Sequence, residues 1–239
     1  QLAKPGQFLY IKCKDDVQMI LRRPISIFDT NKNEHTFTIV FQVRGKGTKA
    51  LKEYKEGEVL DIIGPLGNGF TIEPSYKKVA LVGGGLGIFP LHFLAKTLHP
   101  EASIDYYVGF KSDHEQLFVE EFTKYTQQTT LCSDDGSCGI KGYVTDHFIE
   151  ALLKKPYDIV FTCGPEIMME KIAKAAAKHN VLCQVSLEER MGCGIGACLV
   201  CACKTKNNGR MTMRHVCKDG PVFWGSKVFY EDGLNESKN

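Results

Sequence analysis

The residues from Met191 to Cys203 read MGCGIGACLVCAC, which sets Cys193, Cys198, Cys201 and Cys203 among Gly192, Gly194 and Gly196. A thiol ligates metal only as the thiolate, and thiolates this close together suit a soft metal centre. The spacing is Cys193-x4-Cys198-x2-Cys201, and Cys217 follows after fifteen further residues. That interval, with a more distant fourth cysteine, is the plant-type ligand pattern for a [2Fe–2S] cluster. Glycines between the ligands reach backbone conformations closed to other residues and bring amide N–H groups up to the sulfurs. Such hydrogen bonds stabilise an anionic cluster and help set its potential. The fourth cysteine arrives early for a plain ferredoxin. Cys203 competes for that place, but one intervening residue in an extended segment turns it to the face opposite Cys201, so a packed bystander is expected. Structural zinc also takes four thiolates, usually from paired C-x2-C knuckles, and one such pair exists here.

Two further stretches suit anionic ligands. VALVGGGLGIFP puts Gly83, Gly84, Gly85 and Gly87 between a strand and a helix, where bare helix N-terminal amides suit a pyrophosphate. The match to G-x-G-x-x-G is imperfect, because residue 88 is Ile. FTCGPE, at the carboxyl end of a later strand, places Cys163, Gly164 and Pro165 where a nicotinamide ring would border a parallel sheet; a plain strand-ending turn is the alternative. An acid some twenty residues past the glycines favours NAD over NADP. Asp105 falls inside a strand and Asp113 just beyond it, whereas Lys111 and Ser112 suit a 2′-phosphate, so the sequence leans to NAD only slightly.

RRPIS at 22–26 offers a guanidinium and a hydroxyl: Arg23 is placed to pair with a diphosphate and Ser26 to bond the edge of a flavin ring. RGKGTKAL offers Gly45, Gly47 and Thr48 at a helix start, again with amides for a phosphate. GPLGNGF at 64–70 reads as a structural turn. None of the seven histidines falls into a catalytic pattern, and His92 and His215 read as packing or surface residues.

These residues need a scaffold. FLYIKC, ISIFD, TFTIVFQV and EVLDIIG are short β-type runs between turn signals, which predicts a small antiparallel barrel. From Lys77 strand and helix patterns alternate, KKVALVGG through VLCQVSLE, which predicts a parallel sheet with helices on both faces. One of the predicted helices is HEQLFVEEFTKYT. After about Glu188 the chain turns cysteine-rich. The fold class is therefore α/β plus all-β in three units: a barrel over 1–75, an α/β domain over 76–187 and a metal module over 188–239. PGQFLYIK already looks like an interior strand, so the chain is expected to continue before Gln1. Thirty basic against twenty-eight acidic residues leave a net charge of +2, which gives no nucleic-acid or membrane surface. No apolar run is long enough to span a bilayer. Ten cysteines without an export signal fit a thiolate centre in a reducing cytoplasm better than a disulfide scaffold.

RRPIS, GKGT, GGGLGIFP, CGP and EERMGCGIGACLVCAC…C occur in an order that resembles the electron-transfer subunits of the NAD-linked, two-subunit dihydroorotate dehydrogenases, within the ferredoxin–NADP reductase superfamily. The resemblance spans essentially the whole chain, and the cysteine segment with its EERM lead-in is its most specific part. It implies an FAD barrel, a pyridine-nucleotide domain and a [2Fe–2S] module. By motif, Arg23, Pro24, Ile25 and Ser26 match the first flavin segment, Val40, Phe41 and Gln42 the second, and Gly47 and Thr48 the phosphate turn. Cys193, Cys198, Cys201 and Cys217 match the cluster ligands. Many superfamily members have Tyr where Ile25 stands, so that side chain offers no stacking here. The implied partner is an FMN-containing catalytic subunit that oxidises dihydroorotate, in a heterotetramer of two plus two. A related subunit of a hydrogenase or transhydrogenase-type complex, or a non-enzymatic iron–sulfur redox sensor, is the alternative.

Overall fold

The structure, a computed structural model, describes residues 3–14, 19–116, 118–207 and 209–229. Residues 1–2 and 15–18 of the expected first unit, and 230–239 of the third, lie outside it.

The first unit is a four-stranded antiparallel sheet. Its elements are β1 (Phe8–Ile11), β2 (Arg23–Asn31), β3 (Thr36–Ile39), α1 (Lys46–Lys52) and β4 (Ile62–Leu66), and the strand order is β3-β2-β1-β4. β1 is central, and all four of its side chains are buried. Alternation along a strand divides them between two cores. Leu9 and Ile11 pack with Ile27, Leu51 and Phe93, while Phe8 and Tyr10 face a core that contains Cys201 and Cys217. TFTIVFQV leaves the ladder after Ile39, which frees Val40, Phe41 and Gln42 to line a cavity.

The second unit runs β5 (Lys78–Gly84), α2 (Ile88–Leu98), β6 (Ser103–Phe110), α3 (Val119–Thr123), β7 (Gln128–Ser133), β8 (Ile140–Lys141), α4 (Val144–Leu152), β9 (Ile159–Cys163), α5 (Glu166–Lys178) and β10 (Leu182–Ser186). The strands β5, β6, β7, β9 and β10 are parallel, and the central β5 and β9 are nearly all apolar and buried, because helices cover both faces. Leu81 and Phe161 pack with Ile88 and Leu91 of α2 on one side; Val82 and Val160 pack with Phe148 and Ile172 of α4 and α5 on the other. HEQLFVEEFTKYT forms only the single α-helical turn of α3, after a 3₁₀ turn over Asp113–Glu115. Tertiary packing overrides the periodicity. Phe118 sits in the left-handed region, φ 55°, with its ring 5.6 Å from that of Phe28 and 5.7 Å from that of Phe89.

Beyond β10 the chain makes the cysteine loop, a hairpin of β11 (Ala202–Asn207) and β12 (Arg210–His215), then β13 (Val222–Trp224) and α6 (Gly225–Val228). β13 returns to the large sheet and pairs antiparallel with β10, Ser186 opposite Val222, giving the order β13-β10-β9-β5-β6-β7-β8. The cysteine segment is thus held at both ends by the large sheet.

Candidate functional site

β6 and β7 follow β5 on one side of the sheet, and β9 and β10 lie on the other. The order therefore reverses between β5 and β9, and ligands of such sheets bind in the crevice beyond that point. The two glycine turns of the sequence meet there. A Cβ on Gly87 would collide with the carbonyl of Cys163, so only glycine lets the turns touch. Gly84, Gly85 and Gly87 face Gly164, Pro165 and Glu166 across a cleft of about 830 Å³, with the N-terminus of α2 at its wall. Gly83 packs instead under Ile88 and Leu91. Asp105 is taken up elsewhere: Lys155 and the Tyr157 hydroxyl donate to its carboxylate at 2.7 and 2.8 Å. Lys111, His114 and Glu115 line the cleft, whereas Asp113 turns towards Ser137, whose Oγ accepts its backbone N–H.

A second cavity, about 460 Å³, lies between the two sheets. Pro24, Ile25 and Ser26 from β2 form one wall, and Val40, Phe41 and Gln42 another. Thr48 stands at one end, and Cys163 reaches in from the end of β9. Burial pushes the Cys163 thiol far up, so it is neutral there. Arg23 and Gly47 stand beside this cavity, against each other: a Cβ on Gly47 would come within 2.9 Å of Arg23 Nε. The guanidinium thus lies over the first turn of α1, whose leading amides have no intrahelical acceptor. The Thr48 hydroxyl accepts the N–H groups of Arg44 (2.9 Å) and Gly45 (3.2 Å), which fixes the turn.

The two cavities adjoin. Gln42, Arg44, Leu86, Leu187, Glu188 and Glu189 line both. Gln42 apart, motif reading assigned these residues no role, although Glu188 and Glu189 belong to the EERM lead-in. Surrounding protein raises the Glu188 carboxyl above its usual range, partly opposed by Arg44, even though the cleft leaves it open to water.

From Glu189 the chain runs straight to the cysteines, and Arg190 and Met191 still line the smaller cavity. Cys193 Sγ accepts the N–H groups of Ala197 (3.2 Å), Cys198 (3.4 Å) and Ile195 (3.5 Å). Burial pushes this thiol up, but those amides and the adjacent Cys198 side chain outweigh it and hold it at about 6. Cys217 Sγ accepts the Gly196 N–H at 3.1 Å, and Cys201 Sγ accepts the Cys217 N–H at 3.4 Å. These bonds join the cysteines in two pairs, Cys198 donating its N–H to Cys193 Sγ and Cys217 its N–H to Cys201 Sγ. Among the described residues, no three His, Cys, Asp or Glu side chains surround one point as a single metal ion requires. Two thiol pairs suit a two-iron core better than one tetrahedral zinc. Cys203 stands apart on β11 and opens onto the larger cleft beside Lys204. Of the 64–70 stretch read as a turn, Gly64, Pro65 and Leu66 belong to β4, and the loop beyond them also reaches this region: the Asn68 side chain donates to the carbonyls of Lys218 and Asp219, each at 3.0 Å.

Residues 188–229 match the iron-sulfur cluster binding domain of dihydroorotate dehydrogenase B, and residues 81–174 match the oxidoreductase NAD-binding domain. The dihydroorotate dehydrogenase B (NAD(+)) electron transfer subunit of Clostridium acetobutylicum is 46% identical over 232 residues, spanning 96% of this chain and 88% of that protein. The chain belongs to this family. The dihydroorotate dehydrogenase B electron transfer subunit of Caldanaerobacter subterraneus is 45% identical over 226 residues, 95% of this chain and 87% of its own. Among solved structures, a chain of the NADH-dependent reduced ferredoxin-NADP oxidoreductase superposes with a TM-score of 0.81 at 34% identity, covering 95% of this chain and 79% of that one. The ferredoxin-NADP+ reductase of Plasmodium falciparum shares the fold, with a TM-score of 0.59 at 15% identity over 74% of this chain and 78% of its own. FAD, a [2Fe–2S] cluster and NAD are accordingly the cofactors of this dihydroorotate dehydrogenase B family member.

Proposed function

We propose that this chain carries electrons from a catalytic FMN subunit that oxidises dihydroorotate, by way of the cluster and FAD, to NAD⁺, in the pyrimidine-forming branch of metabolism. The contiguity of the three sites carries this conclusion: Leu187, Glu188 and Glu189 line both cavities, and the chain passes from them directly into the cysteine loop.

When bound, nicotinamide exchanges two electrons as hydride, the cluster exchanges them singly, and flavin does both, so flavin belongs between the others. The protein contributes placement. Arg23, over the first turn of α1 with Gly47 and Thr48, holds the flavin diphosphate. Pro24, Ile25, Ser26, Val40, Phe41 and Gln42 enclose the ring in the smaller cavity. Gly84, Gly85 and Gly87 admit the nucleotide pyrophosphate to the α2 N-terminus, and Cys163, Gly164 and Pro165 border the nicotinamide. Cys193, Cys198, Cys201 and Cys217 would supply the four thiolates that hold the cluster. The neutral thiol of Cys163 offers no competing nucleophile.

The assembly we propose is two plus two, in the cytoplasm. All ten cysteines are free of disulfides, which supports a reducing compartment, and no helix among the described residues is long and apolar enough to cross a membrane. The 34% identity to the NADH-dependent reduced ferredoxin-NADP oxidoreductase chain supports a second reading, the same electron path serving another partner. Pull-down from native extract, followed by assay with dihydroorotate and NAD⁺, separates the two. The complex is expected to reduce NAD⁺ with dihydroorotate. A coloured, NADH-oxidising protein that copurifies with some other oxidoreductase and ignores dihydroorotate would overturn the first reading and favour the second.

A further inference from the structure

Tyr10 belongs to β1, the central strand of the flavin-side sheet, yet its side chain serves the cysteine loop. It is 2% exposed. Its hydroxyl faces the carbonyls of Gly192 at 3.0 Å and Met191 at 3.2 Å, to which its single proton is shared. Its ring occupies the space where a side chain at position 194 would stand: a Cβ on Gly194, itself at φ +73°, would lie 2.7 Å from Tyr10 Cδ1. Phe8, two residues back on the same strand face, lines the smaller cavity, as does Met191. One face of one strand therefore presents first a wall of the flavin cavity and then the support of the loop that carries Cys193. The packing continues under the loop, since Cys201, Val216 and Cys217 share a buried core with Tyr10.

We propose that Tyr10 is a positioning residue for electron transfer: it fixes the Met191–Gly194 backbone at a set separation and orientation from the flavin cavity. Electron exchange between two cofactors falls steeply with separation, so a loop free to shift would cost rate even with every ligand in place. Supporting groups behind metal ligands commonly matter about 10–100-fold in metal affinity or activity. The inference rests on the cofactor assignments above.

The test uses the cofactor-loaded protein with Tyr10→Phe, which keeps the ring and loses the hydroxyl, and Tyr10→Leu, which loses both. The readouts are FAD content, iron and sulfide content, the electron paramagnetic resonance line shape and midpoint potential of the cluster, and the rate of cluster reduction after rapid mixing with NADH. Tyr10→Phe is expected to keep FAD and to fold with only the small stability loss of one buried hydrogen bond, to change line shape and potential, and to slow cluster reduction about tenfold. Tyr10→Leu is expected to lose iron while retaining FAD. Wild-type line shape, potential and rate in Tyr10→Phe would overturn the inference. So would a joint loss of FAD, iron and stability in that variant, which would assign Tyr10 to the core alone. Wild-type protein that never holds iron would overturn the functional assignment itself.

Discussion

Gly87 lies directly against the carbonyl of Cys163, so the first turn of α2 and the end of β9 form one continuous floor to the larger cleft. Gly87 has an ordinary helical backbone, φ −62°, so it is space rather than conformation that excludes a side chain there. Gly87→Ala is expected to part the turns and weaken NAD(H) binding about tenfold or more, ~1.4 kcal/mol, with FAD and iron content retained. Titration of the loaded protein with NADH, alongside cofactor analysis, checks this.

The two-pair arrangement of thiols separates Cys217 from Cys203. Cys217→Ser removes one of the four ligands proposed above and is expected to abolish the cluster or leave it decaying on handling in air. Cys203→Ser is expected to keep full iron and the wild-type visible spectrum, since Cys203 opens onto the other cleft. Iron and sulfide analysis decides, and the reverse pattern would mean that Cys203 is the ligand.

Arg23 rests on Gly47, which ties flavin binding to a specific contact. Arg23→Ala should lower FAD affinity about 10–100-fold, because a charge-assisted hydrogen bond to an oxyanion contributes ~1.5–3 kcal/mol. Arg23→Lys should fall between, keeping the charge but not the planar fork. Flavin release on dilution, followed by fluorescence, reads this directly, and the cluster spectrum should survive in both variants.

His92 supplies a pH signature away from the cofactors. It is buried and stacked on Phe28 at 4.0 Å; one ring nitrogen bonds the Phe28 carbonyl at 3.2 Å, and Nε2 has no partner. Burial lowers its pKa, with the Phe28 carbonyl and Asp29 opposing and Lys96 assisting. The folded state thus takes up a proton less readily than the unfolded chain. The resulting stability is present above the unfolded value, about 6.5, and is lost as pH falls through the depressed folded one. His92→Phe forgoes a hydrogen bond of ~1 kcal/mol. It should be the less stable protein at pH 8, and the gap should close towards pH 5.5. Urea unfolding at the two pH values measures the gap, and a gap independent of pH would refute the account.

Local chemistry was the legible part. Cysteine spacing, the glycine turns and the strand–helix alternation each act over a few residues, so the parallel sheet and the thiol set could be read from the chain. Relations set by distant packing could not. α3 is cut to one turn because Phe118 is drawn onto Phe28 and Phe89, rings from other elements. Arg44 looks like an ordinary turn residue, and it opens onto both cavities, as Gln42 does, only because β3 ends at Ile39. Glu188 looked like part of a lead-in and stands where two clefts join. Tyr10 was one apolar position in a strand. Its link to Gly192 spans most of the chain, and no local pattern encodes it.

Ser186 and Val222 are opposite one another in the large sheet, so everything between them is, in chain terms, an oversized hairpin connection. That connection is nonetheless anchored along its length, because Cys201, Val216 and Cys217 are buried in the same core as Tyr10, Val82 and Val160. A disturbance at the cysteines is therefore passed to the packing beneath both sheets. Replacing the connection with a tight turn would take away Leu187, Glu188 and Glu189, and with them part of the wall of both cavities.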